Sequence, residues 1–391
     1  MDEYPDPDVP VESVAPAELA ATLARGEPVR LLDVRNRDEF ETWHIDGPPV
    51  TSTLIPYMQW LQADATDSVA DRAADIAGEG PVIAVCGRGE ASAYVAGLLS
   101  EAGIEARNLA DGMRGWARVY EARTVREEPT VVQYRRPSSG CLGYLVASAG
   151  EAAVVDPLRA FTDRYRADAE KRGLDIVAVL DTHVHADHVS GLRDLSEAVD
   201  VPRYLPEPTV ERGATFDVET LADGESVTVG ETEVAPVALP GHTTGMFGFV
   251  VGDVLLSGDS LFLDGVARPD LQDGADPAAL ARELHATLTD RLAGFDDATV
   301  LAPGHYEPAT APAADGTYTA TLGEVRDRLD VFGESSAAFV SRVTATDPPQ
   351  PANADRIVAV NLGREKADGD EAFELELGPN NCAAAVSATG D

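Results

Sequence analysis

Ile176-Val177-Ala178-Val179-Leu180-Asp181-Thr182-His183-Val184-His185-Ala186-Asp187-His188 decides the fold of the larger part of this chain. Five apolar residues in a row, bounded by polar ones, predict a buried strand. At its C-terminal end the chain turns to His-x-His-x-Asp-His. His183 and His185 can face one cavity from an extended turn. Asp187 and His188 can face a second position from the start of the next helix. Downstream, His242 sits in Pro240-Gly241-His242-Thr243-Thr244-Gly245 and His305 in Pro303-Gly304-His305, while Asp259 follows a strand in Ser257-Gly258-Asp259-Ser260. A single histidine is most often an ordinary core or surface residue. Five imidazoles and two carboxylates at strand ends have little structural purpose without a metal.

Around this stretch, residues 131–391 mix hairpins with helices. Strands are expected at Val131–Tyr134, Gly143–Ala147, Ala152–Val155, Ser226–Val229, Thr232–Ala238, Gly245–Val251 and Val254–Ser257. Helices are expected at Phe161–Arg172, Pro277–Leu288, Thr319–Phe332 and Ser335–Thr344, the last ones forming a C-terminal helical extension. Sheets stacked between helices, an αββα four-layer sandwich, satisfy this pattern. Residues 9–121 read differently. Strands at Val29–Val34 and Pro81–Val85 alternate with helices at Arg37–Trp43 and Ala91–Ala102, which predicts an α/β domain with a largely parallel sheet and flanking helices. Residues 1–8 read as an acidic tail, and 122–130, polar and containing Glu-Glu-Pro, as a linker.

Cys86 ends an apolar strand and opens Cys86-Gly87-Arg88-Gly89-Glu90-Ala91-Ser92, which leads into a helix. Such a loop can turn backbone N–H groups inward, and the helix N-terminus adds positive potential. Both favour a thiolate or a persulfide anion. Arg88 could add charge stabilisation, and Ser92 a hydrogen bond. Cys141 and Cys382 read as small buried core residues. Three cysteines, odd in number and far apart, imply no disulfide framework and a reducing compartment.

Two families are similar to these patterns. Leu31-Leu32-Asp33-Val34-Arg35, Glu39-Phe40, His44-Ile45-Asp46-Gly47, the Cys86 loop and Asp111-Gly112-Met113-Arg114-Gly115-Trp116 appear in an order that resembles a rhodanese domain. That resemblance implies a Cys86 persulfide and sulfane-sulfur transfer, with Asp33 and Arg35 bracing the fold. Thr-His-x-His-x-Asp-His with its downstream Gly-His, Gly-Asp and Gly-His resembles the metallo-β-lactamase superfamily, in the glyoxalase II and persulfide dioxygenase branch. Carried over by motif, His183, His185 and His242 would form one site and Asp187, His188 and His305 a second, with Asp259 able to bridge.

The branch decides the chemistry. Dinuclear Zn(II) would make a thioester hydrolase of glyoxalase II type. Mononuclear Fe(II), held in persulfide dioxygenases by the positions of His183, His242 and Asp259, would make an oxygenase. Ser139-Gly140-Cys141-Leu142-Gly143-Tyr144-Leu145, Arg268-Pro269-Asp270-Leu271-Gln272-Asp273-Gly274 and the run from Pro348 through Ile357 to Asn361 resemble the dioxygenases. Arg268 and Asp270 become substrate-pocket candidates, with a mutual ion pair as the equal alternative for Arg268. The expected substrates are a low-molecular-weight thiol persulfide and O2. A third possibility is a sulfur-binding or sensing module whose metal is structural.

The 391 residues carry 30 basic and 68 acidic side chains, a net charge of −38. Phosphate would be repelled, so neither nucleic acid nor an anionic membrane is an expected partner. No apolar run approaches the roughly 18 residues of a membrane span, and no signal peptide is read at the start, so a cytoplasmic protein is expected. A homo-oligomer is left open. The acids are scattered, and Lys171 and Lys366 are the only lysines. This composition resembles a salt-in haloarchaeal protein, whose self-repulsion is screened as the Debye length shrinks to about 3 Å at 1 M. Fold and activity should therefore persist in molar salt and weaken on dialysis into dilute buffer, followed by circular dichroism. Full stability in dilute buffer would remove the halophile reading.

Overall fold

The computed structural model describes residues 4–76, 80–345 and 349–384; Met1–Glu3 of the acidic tail and Pro348 of the closing segment lie outside them. The chain divides into two compact units, one of residues 1–119 with 136–139, the other of 120–135 with 140–391.

The first unit is built on five parallel strands in the spatial order Ser13–Val14, Ala106–Leu109, Val82–Val85, Val29–Asp33, Val50–Leu54. Successive apolar residues point to opposite faces. Leu32 and Ala84 pack with Trp60, Val95 and Leu99 on one face, and Leu31 and Val85 with Leu19, Met113 and Trp116 on the other. Both faces are therefore covered, as parallel sheets require.

The second unit holds a seven-stranded and a six-stranded mixed sheet. In the first, Val146, Val155 and Leu180 face a core shared with Phe249, Leu255 and Leu301 of the other sheet. The alternate residues Leu145, Val154 and Val179 pack against Tyr165 and Ala169 of the helix Thr162–Arg172 and against Leu192 and Leu195 of Leu192–Val199. Leu284 of the helix Pro277–Ala286 joins the shared core. The layers are thus helix, sheet, sheet, helix.

Two local expectations change. The stretch 122–130 falls largely on the strand Glu121–Glu127, paired antiparallel with Thr130–Arg136 at the edge of the seven-stranded sheet. Its charged residues are tolerated because an edge strand needs few buried side chains. Asp187 and His188 lie in a loop, since the next helix starts only at Leu192.

Parallel pairing positions the sites. The strands Glu151–Val155 and Asp175–Leu180 run side by side and end at Asp156 and Asp181. In the other sheet, Val254–Gly258 and Val300–Pro303 run side by side and end at Asp259 and Gly304. In the first unit, Gly112 (φ 53°) packs under the Cys86 loop, where an added Cβ would lie 2.2 Å from Cys86 O and 2.9 Å from Arg88 N. Gly112→Ala should destabilise the first unit by more than about 1 kcal/mol and slow alkylation of Cys86. A variant with wild-type urea unfolding would show that the loop tolerates the methyl group.

Candidate active sites

At the edge shared by these strand ends, three buried side chains converge. His183 Nε2 lies 3.8 Å, and His242 Nε2 3.9 Å, from Asp259 Oδ2. Their donor atoms all lie within 4.8 Å of one another. His183 Nε2 and Asp259 Oδ2 are buried and have no hydrogen-bond partner among the described residues. Unpaired buried acceptors are costly, and a cation satisfies them together.

The other ring atoms are engaged. His183 Nδ1 lies 2.9 Å from Thr182 Oγ1, which lies 2.9 Å from Asp156 Oδ2. His242 Nδ1 lies 2.8 Å from the Arg268 carbonyl. A proton on each Nδ1 leaves the Nε2 lone pair for a metal. Burial lowers the proton affinity of His183 and His242, which keeps both rings neutral.

The second set behaves differently. His305 Nδ1 lies 2.6 Å from Asp259 Oδ1 and His305 Nε2 2.8 Å from Asp187 Oδ2. Burial lowers the His305 pKa, but the two carboxylates outweigh it and raise the pKa well above the ordinary value. His305 thus stands as an imidazolium donating to both. Burial likewise opposes ionisation of Asp259, yet His305, through its charge and its hydrogen bond, holds the carboxyl well below the usual range. Gly304 is required here, since a Cβ would meet Asp259 Oδ1 at 2.4 Å. His188 Nδ1 lies 3.2 Å from both Asp187 oxygens, and Cys141 Sγ donates to Asp187 Oδ2 at 3.1 Å. Cys141, Asp187, His188 and His305 form a second possible metal-ligating group.

His185 does not join His183 and His242 in one ligating group. Its Nε2 lies 3.1 Å from Asp156 Oδ1, and its group is Asp156, Asp181 and His185. Burial and the neighbouring Asp156 raise the Asp181 pKa to about 7, while Ser190 Oγ donates to it at 2.6 Å. The Arg268 guanidinium is buried, donating to Asp270 at 2.6 and 2.7 Å and to the Pro349 carbonyl at 2.8 Å. Asn361 fastens the histidine loop by donating to the carbonyls of His185 (3.0 Å) and His188 (2.9 Å). A cavity of about 240 Å³, lined in part by Phe262, Leu263, Tyr306 and Ala383, reaches His305.

In the first unit, Cys86 Sγ is buried and accepts from Gly89 N (3.0 Å), with Ser92 Oγ 3.1 Å away. The loop is closed by Met113 N to Cys86 O (2.8 Å) and Arg114 N to Gly87 O (3.0 Å). Gly89, at φ 96°, precedes the helix Glu90–Glu101. Arg88 is exposed. Arg35 grips Asp33 at 2.7 Å and the Trp43 carbonyl at 2.8 Å, bracing the strand beside the loop.

Residues 15–119 match the rhodanese-like domain family, and residues 139–305 match the metallo-beta-lactamase superfamily. The chain is a rhodanese-like domain fused to a metallo-beta-lactamase domain. Among solved structures it resembles ETHE1 from Myxococcus xanthus, with 26% identity and a TM-score of 0.52 over 62% of this chain and 99% of that one. A hydroxyacylglutathione hydrolase of Yersinia pestis is 36% identical over 129 residues, covering 33% of this chain and 47% of the relative. A beta-lactamase hydrolase-like protein of Xylella fastidiosa is 26% identical over 293 residues, 66% of each chain. The chain thus spans about half of the Yersinia hydrolase. Among the described residues no helix is long and apolar enough to cross a membrane.

Sequence reasoning passed over Asp156, Thr182 and Asn108, and read Cys141 as a core residue with no part in the site. Asp156 carried a readable signal, since it ends an apolar strand as Asp181 and Asp259 do. Thr182 orients the ring of His183. Removing its hydroxyl in Thr182→Val should weaken metal binding roughly 10- to 100-fold, the usual effect of losing such a partner, measured by chelator competition. Unchanged affinity would show that the Thr182 hydroxyl does not set the ring.

Proposed function

We propose that this fusion protein oxidises a low-molecular-weight thiol persulfide with O2 to sulfite at a mononuclear ferrous centre held by His183, His242 and Asp259, and that Cys86 carries sulfane sulfur. The observation that carries the reading is the contrast between two donor sets. His183 Nε2 and Asp259 Oδ2 have no protein partner beside the His242 Nε2, whereas His305 is hydrogen-bonded through both ring nitrogens. Two neutral imidazoles and one carboxylate suit Fe(II), which when bound would offer open positions to O2 and to a sulfur ligand.

The protein's own groups do the rest. Thr182 and the Arg268 carbonyl hold the imidazoles in the ligating tautomer. His305 occupies Asp259 Oδ1 and leaves Oδ2 as the single free oxygen. The cavity beside His305 has room for a small thiol carrier. Atom balance requires one water with each O2, so that the persulfide yields the thiol and sulfite. At the other site, Gly89 N–H and Ser92 O–H stabilise an anionic sulfur on Cys86, and the exposed Arg88 offers charge to an incoming anion.

A second reading, a dinuclear zinc thioester hydrolase with an accessory rhodanese-like domain, is favoured by the presence of Asp187, His188 and His305 in one ligating group. The test separates the two. Metal is counted per chain after anaerobic purification, then persulfide and O2 are supplied and O2 uptake and sulfite are followed. One iron per chain with O2-dependent sulfite formation is expected, lost in Asp259→Ala. Cys86→Ser should keep O2 uptake and lose sulfur transfer. No uptake by protein with verified iron would overturn the reading, and O2-independent thioester hydrolysis with two zinc ions would install the second.

A further inference from the structure

The Ser92 side chain is fully buried, and its Oγ has three neighbours: Asn108 Oδ1 at 2.7 Å, Cys86 Sγ at 3.1 Å and Gly89 O at 3.3 Å. A hydroxyl owns one proton, so it cannot donate to all three. The shortest contact places that proton on the Asn108 amide oxygen. Ser92 then turns lone pairs toward sulfur, an arrangement that accepts from a neutral S–H. An anionic sulfur needs the opposite. The amide supplies it by turning over about its last side-chain bond, since NH2 and O occupy nearly the same volume. Asn108 Nδ2 then donates to Ser92 Oγ, and the hydroxyl proton is free for sulfur. Gly89 N–H donates in both states.

Asn108 is held where this can happen. It lies on the strand Ala106–Leu109, in register with Ala84 two residues before Cys86 and with Ser13 on the other side. Its backbone N–H donates to Glu12 O at 2.9 Å, and its side chain is buried. We propose that Asn108 is a positioning residue that, through Ser92, sets the hydrogen bonding of the Cys86 sulfur in both its neutral and its anionic state. Its bearing on sulfur transfer rests on the function proposed above.

Charged residues on the elements packed around the loop include Arg88 and Glu90 on the loop and helix, Asp111 and Arg114 on the turn bonded to it, Asp33, paired with Arg35, on the neighbouring strand, and Arg107, 3.4 Å from Glu12, beside Asn108 on its own strand. None is altered by the variants that follow.

The test is the pH profile of Cys86 alkylation by iodoacetamide in the full chain, read by mass spectrometry of the Cys86 peptide. Asn108→Asp can only accept and adds negative charge. Its midpoint should rise by about one pH unit or more above wild type. Asn108→Leu removes one hydrogen bond to Ser92 in each state and leaves the hydroxyl proton free for sulfur, so its midpoint should stay at or below wild type. Ser92→Ala, which loses the direct donor, should rise. The Asn108→Asp rise acts through the hydroxyl and should vanish in the Ser92→Ala background; a rise of the same size there is a pure charge effect and overturns the proposal. A wild-type midpoint in Asn108→Asp overturns it equally. Should Asn108→Asp not fold, a raised midpoint in Asn108→Leu overturns the proposal and one at or below wild type supports it. Alkylation needs neither persulfide nor acceptor. Failed sulfur transfer in wild type with the shifts intact would sink the functional reading alone, and normal transfer without shifts would sink the relay alone.

Discussion

The carboxylate of Asp259 has one oxygen committed and one oxygen free, and the metal-binding half of the chain is arranged around that division. Oδ1 is held by His305 at 2.6 Å, and Oδ2 is left without a hydrogen-bond partner between the ring nitrogens of His183 and His242. Keeping a buried carboxylate ionised requires compensating charge or hydrogen bonds. His305 supplies both, and it is itself kept charged by Asp187 on its other side. Parallel pairing of Val254–Gly258 with Val300–Pro303 brings Asp259 and His305 together, and a glycine at 304 lets them approach.

The Cys86 loop solves a related problem with neutral groups. A buried sulfur that changes charge cannot be matched by a fixed ion, because the ion would be unpaired in one of the two states. Donors that can redirect a proton avoid this. Under the proposed relay Ser92 and Asn108 are such donors; Cys86 follows the end of a parallel strand, Asn108 lies on the neighbouring strand, and Ser92 lies in the first turn of the helix that the loop leads into. Both units therefore place reactive groups where strands end, at which the backbone stops pairing with itself and side chains converge.

The fold was largely legible because it rests on periodicity. The apolar runs at Val29–Val34 and Gly143–Ala147 predicted strands; strands are present there, and the structure buries both their faces. The edge strand Glu121–Glu127 was not legible, because its partner rather than its own pattern holds it in place. Spacing brought the ligand types into view, but it could not say which way His185 turns. That depends on Asp156, remote in sequence and adjacent only through the pairing of Glu151–Val155 with Asp175–Leu180. Cys141 was equally hidden: its contact with Asp187 spans 46 positions of sequence and follows from the bridge between Cys141 and His305. Composition spoke to solubility and was silent on chemistry, since the carboxylates that matter here are a few buried ones among 68 acids.

Protonation orders the two metal positions under the proposed reading. Metal ligands must be deprotonated, so a site already in its ligating form binds a divalent cation without releasing protons. His183 and His242 are neutral and Asp259 ionised, which makes the triad such a site. At the second position burial lowers the pKa of His188 and His305, but the adjacent carboxylates raise both well above the ordinary value. A metal there must first displace protons that hold Asp187 and Asp259 in place. Filling it would also free Asp259 Oδ1 from His305 and so change the ligand offered to the first metal. The residues that could complete a dinuclear centre are thus the ones that, while protonated, keep the triad in order.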